Sequence, residues 1–230
     1  MARWGAGWRP TAVMFDLDGT LIQTEHVTAL TLDAFITRWS TPGTTHEPMP
    51  YAGRSWAALA EDVIARTQVT MSVQEVADQL AADYEELALA DLREVDGASA
   101  FVRALASLNV PMAVVTASTR SFTDRALSTL KLDELLPRER RVTDDDVIRS
   151  KPDPEGYLKA AERLGVAPSQ CAVFEDSLTG TTAAQAAGCE VFGVLEHATH
   201  PEELRALATA WIDNFRALVD DADQPTRRHR

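Results

Sequence analysis

The chain has 230 residues, 45% apolar and 25% charged, with 22 basic against 35 acidic side chains. That is enough chain for one large or two small domains with a proper core, and the composition excludes the disordered and fibrous classes. A formal charge of −13 argues against a nucleic-acid partner, which requires clustered Lys and Arg. An anionic ligand would need a local attractor such as a metal ion or a helix N-terminus.

Residues 1–10 carry positive charge but lack the apolar stretch of a secretory signal. No segment approaches the roughly 18 apolar residues of a membrane span. Cys171 and Cys189 flank predicted buried strands and form no C-x-x-C motif, so they read as reduced core thiols. The expectation is a cytoplasmic protein, monomer or weak dimer, with no membrane and no nucleic-acid partner.

In chain order, the first short apolar run is residues 11–15, which ends in Asp16-Leu17-Asp18-Gly19-Thr20. From residue 24 to about 96 the rhythm changes to three amphipathic helical patterns. Their predicted buried stripes are Val27, Leu30, Ala34 and Phe35, then Trp56, Leu59, Ala60 and Val63, then Val73, Val76, Ala77, Leu80, Tyr84 and Leu87. Strand-like runs resume at residues 110–115, 171–174 and 190–194, with 210–213 as a further candidate. Between them, Asp153-Pro154 opens a helix expected over 154–164 and stopped by Gly165. Ser177 precedes a small-residue helix that Gly188 stops. Alternating strands and helices predict an α/β fold with a parallel sheet. Specifically, a Rossmann-like core (residues 1–23 and 97–230) is expected to carry an inserted small helical cap domain (residues 24–96).

Ligands bind at the C-terminal ends of strands in such sheets, and polar residues gather there. Asp16 and Asp18 would repel one another on one face of a strand. They are tolerated around a cation or a proton, or where the chain bends away at Gly19. Taken singly, the Asp16/Asp18 pair reads equally well as a hydrated strand end or helix cap and Glu175-Asp176 equally well as a solvated turn, while Thr116 alone reads as a helix cap and Lys151 alone as a surface lysine. Taken together, the strand ends supply carboxylates for an oxygen-ligated divalent cation. They also supply a lysine and a hydroxyl that would offset the charge of a phosphoryl group. Those are the components of phosphoryl transfer to a carboxylate nucleophile.

Four segments, Phe15-Asp-Leu-Asp-Gly-Thr-Leu21, Val114-Val-Thr-Ala-Ser118, Lys151-Pro-Asp-Pro154 and Phe174-Glu-Asp-Ser-Leu-Thr-Gly180, resemble the signature motifs of the haloacid dehalogenase superfamily, helical-cap branch. They occur in the family's order, and the similarity covers about residues 11–215. The resemblance implies a Mg²⁺-dependent phosphatase that works through an aspartyl-phosphate. Asp16 would be the nucleophile and Asp18 the general acid, then base. Thr116, Ser118 and Lys151 would hold the phosphoryl oxygens. Asp176, assisted by Glu175, would hold Mg²⁺ together with the Asp16 carboxylate and the Asp18 backbone carbonyl. The implied substrate is a small phosphorylated metabolite: a sugar or polyol phosphate, or a nucleoside monophosphate. In the cap, residues 49–56 resemble the family's specificity loop. Arg54 there is the candidate second substrate contact, and Trp56 reads as helix packing, with stacking on a sugar or base as the alternative. Arg120 is a further candidate substrate contact, and Gln23, where relatives often carry Asp, is assigned to the hinge.

Asp18 separates the chain from the dehalogenases, whose leaving halide needs no proton. The lysines are Lys131, Lys151 and Lys159, so residues 24–96 lack the cap lysine of the Schiff-base phosphonatases. The same absence, with Thr28 aligned to the cap histidine of β-phosphoglucomutases, favours a phosphatase, with such a mutase as the alternative. A non-catalytic phospho-ligand sensor on this fold would have no use for Asp18.

Overall fold

The computed structural model describes residues 10–47, 49, 51 and 56–222. Among these, strands β1 (Ala12–Phe15), β2 (Met112–Val115), β3 (Arg141–Val142), β4 (Cys171–Glu175), β5 (Glu190–Val194) and β6 (Ala210–Ile212) form one sheet. Its order is β3-β2-β1-β4-β5-β6, and every pairing is parallel. β1, β2 and β4 are buried along their whole length, as strands covered on both faces must be. The chain order reverses at β1, whose neighbours are β2 on one side and β4 on the other. Such a switch point leaves a crevice beyond the strand ends.

Side chains alternate between the two faces. Ala12, Met14, Ala113, Val115, Cys171 and Val173 pack with Tyr157, Ala160 and Ala161 of helix α6 (Glu155–Leu164) and Ala183 and Ala184 of α7 (Leu178–Ala186). The opposite face carries an aromatic cluster. Phe15 stacks on Phe174 with ring centroids 5.5 Å apart, and Phe101 and Phe215 lie 5.3 and 5.2 Å from Phe174. Phe101 belongs to α4 (Ala98–Ser107), and Phe215 directly precedes α9 (Arg216–Ala222). Each ring pair contributes about 0.5–1.5 kcal/mol beyond its buried area. Cys171 and Cys189 are buried free thiols.

Local chemistry sets the helix limits. The Asp153 carboxylate accepts the Glu155 N–H at 3.0 Å, and Gly165 ends α6 in the left-handed region at φ 69°. Thr119 caps α5 (Arg120–Thr129), and Ser177 caps α7. β3 had no counterpart in the predicted strands, because two residues are too few to show a period of two. Its Arg141 is buried, with its guanidinium on Asp124 (2.6 Å) and on the carbonyls of Leu136 (2.7 Å) and Asp133 (3.1 Å).

The chain divides into two units, Met1–Gln23 with Arg93–Arg230, and Thr24–Leu92. The second unit contains α1 (Glu25–Arg38), α2 (Trp56–Arg66) and α3 (Val73–Ala90). Its core includes Leu32, Phe35, Ile36, Leu59, Ala60, Val63, Val76 and Leu80, and Trp56 packs on Tyr84 with ring centroids 5.4 Å apart. Leu30, Ala34, Val73 and Leu87, predicted as buried, are exposed. In α1 the buried arc runs through Val27, Thr31, Phe35, Leu32 and Ile36. At about 100° per residue, Leu30 and Ala34 fall just outside that arc. No described helix is long and apolar enough to cross a membrane.

Candidate active site

The alternation that buries Ala12 and Met14 beneath the sheet carries Asp16 to the same face. On β4 it does the same for Cys171, Val173 and Glu175. β1 and β4 pair with Phe15 opposite Phe174, so Asp16 and Glu175 emerge side by side. Both are buried. Lys151, on the loop ahead of α6, reaches between them. Its Nζ lies 2.5 Å from Asp16 Oδ1 and 2.6 Å from Glu175 Oε1. Glu175 receives four donors in all. Lys151 Nζ and the Tyr157 hydroxyl (2.9 Å) bond Oε1, and the Ser177 N–H (3.0 Å) and hydroxyl (2.9 Å) bond Oε2.

Beyond Asp16 the chain turns tightly. The Leu17 carbonyl accepts N–H bonds from Leu21 (2.8 Å) and Ile22 (3.0 Å), and the Gly19 N–H bonds the Ile22 carbonyl at 2.7 Å. Thr20 Oγ1 donates to Asp176 Oδ1 at 3.2 Å. At Gly180 a Cβ would stand 1.6 Å from Glu175 Oε1, so the glycine of the fourth segment makes room for the carboxylate. Gln23 Nε2 donates to the Glu94 carbonyl at 2.8 Å and its N–H to the Arg93 carbonyl. This residue therefore ties the outgoing strand of chain to the returning one.

Asp18 faces the end of β2. Ser118 Oγ donates to Asp18 Oδ2 at 2.6 Å and Thr116 Oγ1 to the same oxygen at 3.4 Å, while the Ser118 N–H bonds Thr116 Oγ1 at 3.0 Å. Asp16, Asp18, Thr116, Ser118, Lys151, Glu175 and Asp176 thus gather at the strand ends around β1. Arg120 does not join them. Its guanidinium is paired with Asp146 and its N–H with Asp145. Arg54 lies outside the described residues.

Burial pushes the Asp16 carboxyl up, to about 8; Lys151 opposes the rise, and Glu175 and Asp18 add to it. Burial alone would lower the Lys151 ammonium, but Asp16 and Glu175 outweigh it and hold it well above its usual range. Tyr157 is raised by burial and by Glu175, so its hydroxyl stays protonated and donates. Asp16, Glu175 and Asp176 are all buried and each brings one oxygen within 4.8 Å of the others'. One ammonium offsets only part of that charge, and buried uncompensated charge is costly. An all-oxygen set of this kind fits a hard divalent cation. Since both Glu175 oxygens already accept protein donors, Glu175 serves as the holder of Lys151 as well as a member of the acidic cluster.

Sequence alone assigns no site role to Thr20, Ser177 or Tyr157. Thr20 and Ser177 lie inside the quoted motifs, where Ser177 reads as the start of a helix and nothing singles out Thr20. Tyr157 follows the apolar stripe of α6 with Ala160 and Ala161, which makes it look like a core residue.

Residues 10–188 match the haloacid dehalogenase-like hydrolase family. The chain is 38% identical over 205 residues to validoxylamine A 7'-phosphate phosphatase of Streptomyces hygroscopicus subsp. limoneus, covering 88% of this chain and 92% of that protein. It is 31% identical to hexitol phosphatase A of Escherichia coli (strain K12), covering 82% and 84%. The crystal structure of a family IA, variant 3 HAD hydrolase from Entamoeba histolytica superposes with a TM-score of 0.77 at 26% identity, over 93% of this chain and 99% of that one. With the fold and the clustered strand-end residues described above, these similarities identify the chain as a member of the haloacid dehalogenase-like hydrolases and a phosphoric monoester hydrolase.

Proposed function

We propose that the enzyme hydrolyses a sugar or polyol phosphate through an aspartyl-phosphate on Asp16. The observation that carries this reading is the placement of Lys151 Nζ against Asp16 while Asp18 is held separately by Ser118. One carboxylate is thereby set beside a cation that can hold a phosphoryl group, and a second is oriented independently of it. Substrates of this class are favoured over a nucleoside monophosphate because the two relatives above act on a validoxylamine phosphate and a hexitol phosphate.

In the proposed reaction an Asp16 oxygen attacks phosphorus in line and the bond from phosphorus to the ester oxygen breaks. Asp18 delivers its proton to the departing alkoxide. Asp18 then takes a proton from water as that water attacks phosphorus, which releases inorganic phosphate and restores Asp16. Lys151 and Thr116 bind the phosphoryl oxygens, where charge accumulates in the transition state. The oxygens of Asp16 and Asp176, with the Asp18 backbone carbonyl, would hold Mg²⁺, and its charge when bound offsets the repulsion between the ester and Asp16. Phosphate monoesters need accelerations of up to ~10²¹, which accounts for so many fixed charges in one small volume.

The test is phosphate release from a panel of sugar, polyol and nucleoside phosphates and from p-nitrophenyl phosphate, with Mg²⁺ and with EDTA. Release is expected with Mg²⁺ only, fastest on a sugar or polyol ester, and absent for Asp16→Asn. Conversion of β-glucose 1-phosphate to the 6-phosphate with little free phosphate, or no turnover of any ester, would overturn the proposal.

A further inference from the structure

We propose that Tyr157 is a positioning residue for this hydrolysis, fixing Lys151 on Asp16 through the shared carboxylate of Glu175. The inference rests on the phosphatase reading, in which Lys151 binds the phosphoryl group.

Packing alone does not account for a tyrosine at this position. Tyr157 is fully buried in the cluster beneath the sheet with Met14, Val115, Ala161 and Val173, surroundings that a phenylalanine would satisfy. A buried hydroxyl in such a place is unfavourable unless it is hydrogen-bonded. Its partner is Glu175 Oε1 at 2.9 Å, the same oxygen that accepts Lys151 Nζ at 2.6 Å. The face of the ring also stands 5.3 Å from Lys151 Nζ, within reach of a cation–π attraction.

The two ends of Glu175 are therefore held differently. Oε2 is pinned by the backbone N–H and hydroxyl of Ser177. Oε1 accepts one bond from the core, through Tyr157, and one from the site, through Lys151. With Tyr157 absent, the remaining side-chain donor to Oε1 is the flexible lysine whose position that oxygen is supposed to define. The carboxylate could then rotate about its Ser177 anchor and carry Nζ away from Asp16. Hydrogen bonds to charged acceptors are among the stronger side-chain interactions. A displaced Lys151 matters most when phosphoryl charge is greatest, so the loss should fall on the transition state more than on substrate binding.

The experiment is steady-state hydrolysis of p-nitrophenyl phosphate with Mg²⁺ by wild type, Tyr157→Phe, Glu175→Gln and the double variant, with thermal melts of each. Tyr157→Phe should lower kcat roughly tenfold with KM within about twofold and a cooperative melt retained. In the Glu175→Gln background the same change should cost less than about twofold, because the two residues act along one chain. Additive losses, an unchanged kcat, a loss confined to KM, or a Tyr157→Phe protein without a cooperative melt would each overturn the proposal and leave the phosphatase reading standing. A wild-type enzyme that turns over no ester would overturn both.

Discussion

Gly19 lies directly against the carboxylate of Asp176: a Cβ at Gly19 would come within 2.1 Å of Asp176 Oδ2, and the backbone there has φ +79°. The glycine is therefore required twice, once for its left-handed backbone and once because the acidic group occupies the space of a side chain. Gly180, within α7, meets only the second requirement: the Glu175 carboxylate occupies the space its side chain would take. Gly19→Ala and Gly180→Ala should each reduce phosphate release at least a hundredfold and lower the melting temperature. Gly165→Ala is the control. It too has positive φ (69°), but its Cβ would meet no atom within 4 Å, so it should cost about 1–2 kcal/mol of stability and leave kcat unchanged.

The second prediction concerns pH and metal. Asp16 has its carboxyl raised to about 8 by burial and by the acidic groups around it. Between its ordinary value of 3.8 and about 8, the folded chain thus binds a proton that the unfolded chain does not. Stability must then fall as pH rises through that window. In EDTA the melting temperature should be higher at pH 5 than at pH 8. Millimolar Mg²⁺ should raise it at pH 8 and do little at pH 5, where protons compete for the same oxygens. Asp16→Asn should flatten the EDTA profile. Melts that show no dependence on pH in EDTA would contradict this account of the acidic cluster.

Ser118 holds Asp18, at 2.6 Å, more closely than Thr116 does at 3.4 Å. Ser118→Ala should leave the fold intact and lower kcat roughly tenfold, because the proposed proton donor loses its fixed orientation. The loss should be larger for poor leaving groups than for p-nitrophenolate, which departs with little need of a proton. Equal losses on both kinds of ester would separate Ser118 from the protonation step.

Asp146 is the anchor of the loop that leads towards Lys151. It accepts the Thr143 N–H at 2.8 Å and hydroxyl at 3.0 Å, the Arg163 guanidinium at 2.9 Å and that of Arg120. Desolvation pushes its carboxyl up, but the Thr143 and Arg163 bonds outweigh it and the group lies at about 2. The stabilisation is complete above the ordinary carboxylate range and disappears as pH falls through that range towards about 2. Asp146→Ala should therefore destabilise the fold by about 1–3 kcal/mol at pH 7, read by urea denaturation. The deficit should shrink below pH 3.

Much of this protein is legible along the chain. Five of the six strands announce themselves as short apolar runs, because a parallel strand buried on both faces tolerates few polar residues. Asp16, Asp18, Thr116 and Asp176 are legible for a related reason: each follows a core strand, and those strand ends converge whatever lies between them. Lys151, on the loop ahead of α6, is legible only through the Lys151-Pro-Asp-Pro154 segment. β3 is not legible, since its two residues are placed by the neighbouring strand and by the bonds of Arg141. Nor is the exposure of Leu30, which depends on where helices α2 and α3 leave α1 uncovered.

The sequence by itself determined the parallel α/β scaffold and the set of chemical groups at its edge, because both are written in local patterns of burial and turn chemistry. Only the tertiary structure decided which oxygen meets which donor. That Lys151 bridges Asp16 and Glu175, that Ser118 serves Asp18, and that a core tyrosine reaches the site from beneath all depend on register between strands far apart in the chain. Period and spacing carry no information about such distances; the packing of α6 against β2 and β1 does.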